Sequence, residues 1–275
     1  MLARPRARAA SWLVLATRAI FVAAFGAFVV GPIAVLVLWS IAQQWFWPSP
    51  LPSAYTLRWY AWALDVPNVL RSLQMSLVVA VLVTAVTTAV ALPAAWVIGR
   101  VPFRGKAAVR AAFALPLMVP YIALGIGIAT VFYALGLAGT LGGVVLAHTI
   151  ATLPFGILVL TAAVEAAEPE IEEAALACGA SRWQAFRRVT LPMLAPALLS
   201  QAVYVFTLSM DEFTLTLLVS SPDTATLPVQ MYAAIGEGYF QVSSALAVLL
   251  LTPSVLLIYL MVRFARTSLV SAEGG

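Results

Sequence analysis

Glu173-Ala174-Ala175-Leu176-Ala177-Cys178-Gly179, followed nine residues later by Val189-Thr190-Leu191-Pro192, is a compact polar stretch in an otherwise very apolar chain. Pro169 suits a first helical position, where its missing donor costs nothing. Glu170, Glu172 and Glu173 then fall in the first turn, favourable toward the helix dipole. Gly179 is placed to end that helix in a left-handed conformation, which glycine adopts without a Cβ penalty. Ser181 with Gln184 three residues on is a capping-box pattern for a second short helix. Arg187 and Arg188 fall in its last turn, and Pro192 begins the next apolar run. The segment 165–192 therefore predicts a helix–glycine–helix knuckle. Ala174, Ala175 and Ala177 leave room for close approach to a partner groove, and Glu173 supplies a charge. A plain amphipathic connector, acidic then basic, accounts for the same composition.

Outward from this knuckle the chain is membrane-like. Of 275 residues, 63% are hydrophobic and 9% charged, where soluble domains carry about 25% charged residues. Mean hydropathy is +1.01. Six apolar runs are long enough to cross a bilayer as helices: 17–42, 72–98, 108–134, 142–164, 193–219 and 240–264. Every backbone polar group must be satisfied internally there, and barrel strands would be shorter and alternating. The predicted class is an all-α polytopic membrane protein with six transmembrane helices. A basic segment 1–16 precedes the first span, a Trp-rich loop 43–71 follows it, and a core of five spans (72–264) precedes a tail, 265–275. Each span carries proline: Pro32, Pro93, Pro116 with Pro120, Pro154, Pro196 and Pro253. These read equally as ordinary membrane-helix prolines or as bends around a gated path.

Thirteen of the 15 Lys and Arg residues fall on one side of these spans, leaving Arg58 and Arg71 on the other. By the positive-inside rule both termini and the 165–192 loop are cytoplasmic. Trp39, Trp45, Trp47, Trp59 and Trp62 crowd the opposite side, as an interface belt does. A cleaved signal peptide fits the basic start, but the first apolar run far exceeds the usual ~7–15 residue core.

Ser209, Asp211, Glu212, Thr214 and Thr216 interrupt the fifth span. Charge in a bilayer is costly and defaults to a functional reading. At ~1.5 Å per residue from Met193, Asp211 lies about 27 Å along the helix, near the far edge of the hydrocarbon core, where a headgroup position also explains it. The functional alternative is an acidic element of an outer gate that favours a cationic solute. Tyr204 and Tyr121 offer aromatic faces for a cation or simple packing. His148, the single histidine, reads as a hydrogen-bonded structural residue before it reads as a proton relay. Glu237 reads as a solvated surface charge.

Enzyme readings fare poorly. No H-E-x-x-H occurs, and Gly105-Lys106 lacks the earlier glycine and the following Ser/Thr of a phosphate loop. One cysteine and one histidine give no metal spacing. The dispersed basic clusters give no nucleic-acid face. A stand-alone secondary transporter or channel is the alternative function, but no inverted repeat supports it. A membrane scaffold leaves the polar fifth span unexplained.

The knuckle resembles the EAA motif of type I ABC importer permeases, with Val189 where isoleucine is usual. Leu57-Arg58-Trp59-Tyr60, Pro102-Phe103-Arg104-Gly105-Lys106, Phe206-Thr207-Leu208-Ser209-Met210-Asp211-Glu212 and Thr226-Leu227-Pro228 with Tyr232 are similar to the spermidine/putrescine permease family of the PotC type. The resemblance implies a type I ABC importer transmembrane-domain (MetI-like) fold. It implies that Glu173, Ala174, Ala175 and Gly179 dock onto a separate ATPase, with Leu191 and Pro192 returning the loop to the membrane. Candidates for the path are Ser209, Asp211, Glu212, Tyr204 and Tyr121. The implied partners are an ABC ATPase dimer, a second PotB-like permease, a periplasmic or lipid-anchored solute-binding protein and membrane lipid. ATP and Mg would bind the ATPase, leaving this chain no cofactor and no catalytic residue. The expected function is alternating-access import of a small polar, cationic, polyamine-like solute across the inner membrane.

Overall fold

The computed structural model describes residues 4–46 and 48–273. Twelve helices occur among them: α1 (Arg4–Ile41), α2 (Arg58–Asp65), α3 (Pro67–Arg100), α4 (Lys106–Met118), α5 (Tyr121–Ala134), α6 (Leu141–Ala166), α7 (Pro169–Ala177), α8 (Arg182–Ala185), α9 (Leu191–Met210), α10 (Thr214–Val219), α11 (Leu227–Gly236) and α12 (Phe240–Glu273). The described residues contain no strand, and one isolated bridge joins Ala42 to Tyr55.

Burial ranks the helices. In the most apolar window of α6, 67% of residues are buried, whereas that of α1 is 0% buried. The α6 helix is therefore the axis of the bundle, and α1 lies outside, against α12. Gly156 on α6 sets the close approach to α3: an added Cβ there would come within 3.0 Å of Thr87 and 3.2 Å of Ala91. Small residues at such crossings let helices bury backbone as well as side chains where lipid supplies no hydrophobic drive. Three apolar clusters run along α3. Val79 and Val83 meet α5, α6 and α10, Ala80 meets α11 and α12, and Ala91, Ala95 and Ile98 meet α6.

Among the described residues five helices are long and apolar enough to cross a membrane, and the α4–α5 pair supplies a sixth crossing if counted as one span. That pair corrects the expectation of a continuous 108–134 helix, because the two halves meet at 101°. Val119 is extended there (ψ 134°), as the residue before a proline tends to be, and Pro120 opens α5. The expected 193–219 span also differs. Its helix stops at Met210 and resumes as the separate α10, because the Glu212 carboxylate takes the Leu215 N–H. At its other end the span starts earlier. Arg182–Met210 runs as one helix through a π-turn at Phe186–Thr190, where the Leu191 N–H reaches Phe186 O. The knuckle's second helix is thus continuous with the membrane helix, not separate from it. The wider turn accommodates Pro192, which lacks a donor and crowds the preceding turn.

The segments that follow α3 and α6 meet at one end of the bundle. Arg100 Nη2 donates to Ala167 O at 2.6 Å, and Arg110 pairs with Glu165. Arg71 pairs with Asp223 at the far end, at 3.0 Å. The Trp-rich segment folds back on α1, with Trp59 Nε1 donating to Ala42 O at 2.8 Å and the Trp39 ring against Trp45. Trp47 of the expected belt lies outside the described residues.

Candidate functional site

Two polar elements stand at opposite ends of the membrane helix Arg182–Met210. The first is the knuckle. Its first helix has Pro169 at its start and Glu170 and Glu172 in the first turn, while Glu173 falls just beyond that turn. Gly179 has φ +90°. Around it Ala180 N donates to Ala175 O at 3.1 Å and Gly179 N to Leu176 O at 3.0 Å, the paired bonds of a Schellman stop. The Ser181–Gln184 capping box forms in both directions. Thr190 donates to Glu172 at 3.1 Å, so Glu172 is held inward. Glu173, Ala174 and Gly179 are exposed and Ala175 is half-buried. Leu191 is half-buried behind the π-turn and Pro192 is exposed. Trp183 stacks on Phe186, whose ring meets the edge of Trp96 on α3. This triplet braces the knuckle against the bundle, a role the sequence reading missed, because no local pattern joins residues 96 and 183.

The second element is the break between α9 and α10. The Tyr121 hydroxyl donates to Glu212 Oε2, and Glu212 Oε1 accepts from Leu215 N at 2.6 Å. Glu212 is therefore the cap of α10 and the tie to α5. Asp211 is exposed, and no cation pairs with it among the described residues. It lies between two cavities. One, of about 280 Å³, is shared with Tyr121, His148, Phe155, Ser209 and Glu212. The other, of about 380 Å³, is shared with Phe213, Met231 and Tyr232. Phe213 and Tyr232 lie 5.0 Å apart, ring to ring.

Of the five path candidates, Ser209, Asp211, Glu212 and Tyr121 line one cavity. Tyr204 stands outside it, edge-on to Phe155 at 5.6 Å. His148, Phe213 and Tyr232 join the cluster, although sequence reasoning did not place them there. Deeper in the bundle, Thr87 bonds Thr152 at 3.0 Å and Thr88 donates to Gln201 at 3.0 Å. No group of three or more His, Cys, Asp or Glu residues suited to a metal occurs among the described residues.

Comparison with known proteins matches residues 91–269 to the model of a family described as the binding-protein-dependent transport system inner membrane component. The spermidine/putrescine transport system permease protein PotC of Escherichia coli (strain K12) is 28% identical over 241 residues, covering 86% of this chain and 89% of PotC. A putative 2-aminoethylphosphonate transport system permease protein, PhnV of Salmonella typhimurium (strain LT2), is 29% identical over 237 residues, covering 86% and 88%. A bacterial ABC transporter involved in import of the acidic polysaccharide alginate superposes with a TM-score of 0.72 at 18% identity, over 96% of this chain and 98% of that one. The last likeness speaks to fold alone.

Proposed function

Since this chain belongs to the binding-protein-dependent transport inner-membrane component family, and is an ABC importer permease subunit, we propose that it carries a small solute bearing an alkyl-ammonium group. The observation that carries this reading is Asp211, a carboxylate without a cation partner among the described residues, between two cavities with the Phe213 and Tyr232 rings at one of them. A carboxylate with aromatic faces attracts an ammonium group by charge and by the ring quadrupole. The relatives' solutes support the same chemistry: spermidine, putrescine and 2-aminoethylphosphonate share an amine on an alkyl chain. The fold by itself chooses no solute, because the alginate transporter shares it.

In this reading the knuckle faces the cytoplasm with both termini, and Glu173, Ala174, Ala175 and Gly179 seat in an ATPase subunit. A second permease completes the path and a binding protein delivers solute at the far end. The ATPase drives the change by binding the knuckle differently in its two states, since a ligand shifts a conformational equilibrium only by its differential affinity. Because Arg182–Met210 is one helix, displacement of the knuckle reaches Asp211 along a rigid rod. The test is uptake of radiolabelled putrescine by proteoliposomes holding the full importer with its binding protein, in the presence of unlabelled competitors. Competition by primary alkyl amines and not by neutral sugars is expected. Equal competition by both, or none by amines, refutes the solute class.

A further inference from the structure

The α9–α10 break leaves a problem of backbone satisfaction. A helix interrupted at membrane depth frees donors and carbonyls that lipid cannot meet. Glu212 N reaches Ser209 O at 3.4 Å, a long bond, and the chain turns over the next residues before α10 begins at Thr214. One side chain on a neighbouring helix spans this turn. His148 on α6 bonds Ser209 through Nδ1 at 2.9 Å and Thr216 through Nε2 at 2.8 Å. Ser209 precedes the break and Thr216 follows it. All three are buried, at 1%, 2% and 0% exposure.

The hydrogen-bond chain sets the proton positions. Thr216 Oγ1 donates to Glu212 O at 3.3 Å, so toward His148 it accepts, and Nε2 carries the proton. Nδ1 then accepts from the Ser209 hydroxyl. A neutral Nε2–H imidazole satisfies every group in the chain, and no other side chain type offers a donor and an acceptor on opposite edges of one rigid ring. We infer that His148 is a positioning residue for transport: it staples the two sides of the break and so holds Asp211, which stands between its two partners in the chain, at the cavity they share. The inference rests on the reading of Asp211 as the group that meets the solute.

The staple is tested without reference to any solute. Met210→Cys, at a fully buried position beside Asp211, is labelled with N-ethylmaleimide in the assembled importer with Cys178 replaced by serine, and Leu194→Cys, equally buried at the other end of α9, is the reference in a parallel sample. Ser209→Ala removes the Nδ1 bond, and Thr216→Val removes the Nε2 bond together with the bond to Glu212 O, each at nearly constant volume. Ser209→Ala is expected to raise the labelling rate at position 210 about fivefold, the equilibrium equivalent of one lost hydrogen bond of about 1 kcal/mol, and Thr216→Val at least as much. His148→Ala removes both bonds and raises it further. His148→Gln, whose amide can donate toward Thr216, falls between His148→Ala and wild type. An unchanged rate at 210 in Ser209→Ala and Thr216→Val overturns the staple. So does a rise at position 194 in step with 210, which signals general loosening. Putrescine uptake by the same variants with Met210 intact forms a separate arm. Absence of uptake by the wild-type importer counts against the solute reading, while the labelling result still decides the staple.

Discussion

The Tyr121 hydroxyl and the Glu212 carboxylate, 91 residues apart in sequence, are joined by a hydrogen bond that ties the start of α5 to the cap of α10. With its other oxygen on the Leu215 N–H, Glu212 has both oxygens engaged. Its neighbour Asp211 has neither a cation nor a cap to hold among the described residues. Two adjacent carboxylates thus divide the labour, one structural and one available.

That division predicts opposite outcomes for two amide substitutions. Glu212→Gln keeps an acceptor for Leu215 N, and the tyrosine hydroxyl can accept from the new amide, so uptake should stay within about twofold, because few hydrogen bonds are lost. Asp211→Asn removes the charge, and a lost charge-assisted contact of about 1.5–3 kcal/mol corresponds to roughly a tenfold or larger fall in uptake of an ammonium solute. Initial rates of putrescine uptake measure both. Comparable losses in the two variants would contradict the assignment.

At the other end of the helix, Glu173 is exposed while Glu172 is held by Thr190. Glu173→Lys reverses the one acidic group of the motif that a partner can reach. It should abolish transport and strip the ATPase from the purified complex. Glu172→Gln retains an acceptor for Thr190 and should leave the ATPase bound. Co-purified ATPase per permease, read from a stained gel, separates the two.

Gly179 sits at φ +90° with nothing within 4 Å of an added Cβ. Gly179→Ala therefore meets backbone strain and no clash. The cost is about 1–2 kcal/mol for a left-handed L-residue, enough to unwind the knuckle in part. ATPase retention should fall several-fold, and more for Gly179→Val, whose β-branch tolerates that conformation worse. Gly31→Ala, at a helical glycine with equally open surroundings, should leave assembly unchanged.

How far the sequence could be read follows from the range of each signal. Four of the six long apolar runs, the glycine stop and the Ser181–Gln184 box are carried by residues within a few positions of one another, and these stand in the structure as read. The 101° bend at Val119–Pro120 was signalled by its proline, but proline is common in membrane helices and carries no angle by itself. The continuity of the knuckle with the membrane helix was hidden because a π-turn leaves no motif. Which carboxylate is free was illegible, since it depends on Tyr121, and His148 found its partners 61 and 68 residues away. Hydrophobic period and capping are local. The pairing of polar groups inside a bundle is set by which helices cross, and one sequence does not state that.

Three glycines test how tightly the α5–α10 unit is seated. At Gly143 an added Cβ would run into the Leu137 backbone carbonyl, which cannot rotate away. At Gly125 it would meet Leu218 Cδ1 at 2.8 Å and Leu215 Cδ2 at 3.2 Å, the far ends of flexible side chains on α10. At Gly127 nothing lies within 4 Å. Gly143→Ala should therefore lower the melting temperature of the detergent-purified importer most, as overpacking against rigid groups costs about 1–3 kcal/mol or more. Gly125→Ala should cost less in stability, because leucine ends give way, yet it pushes α10 from α5 and with it the Tyr121–Glu212 tie. Its uptake should fall further than its melting temperature suggests. Gly127→Ala should be neutral or gain up to about 1 kcal/mol from helix propensity. A Gly125→Ala importer with wild-type uptake would show that the seating of α10 on α5 does not set the transport site.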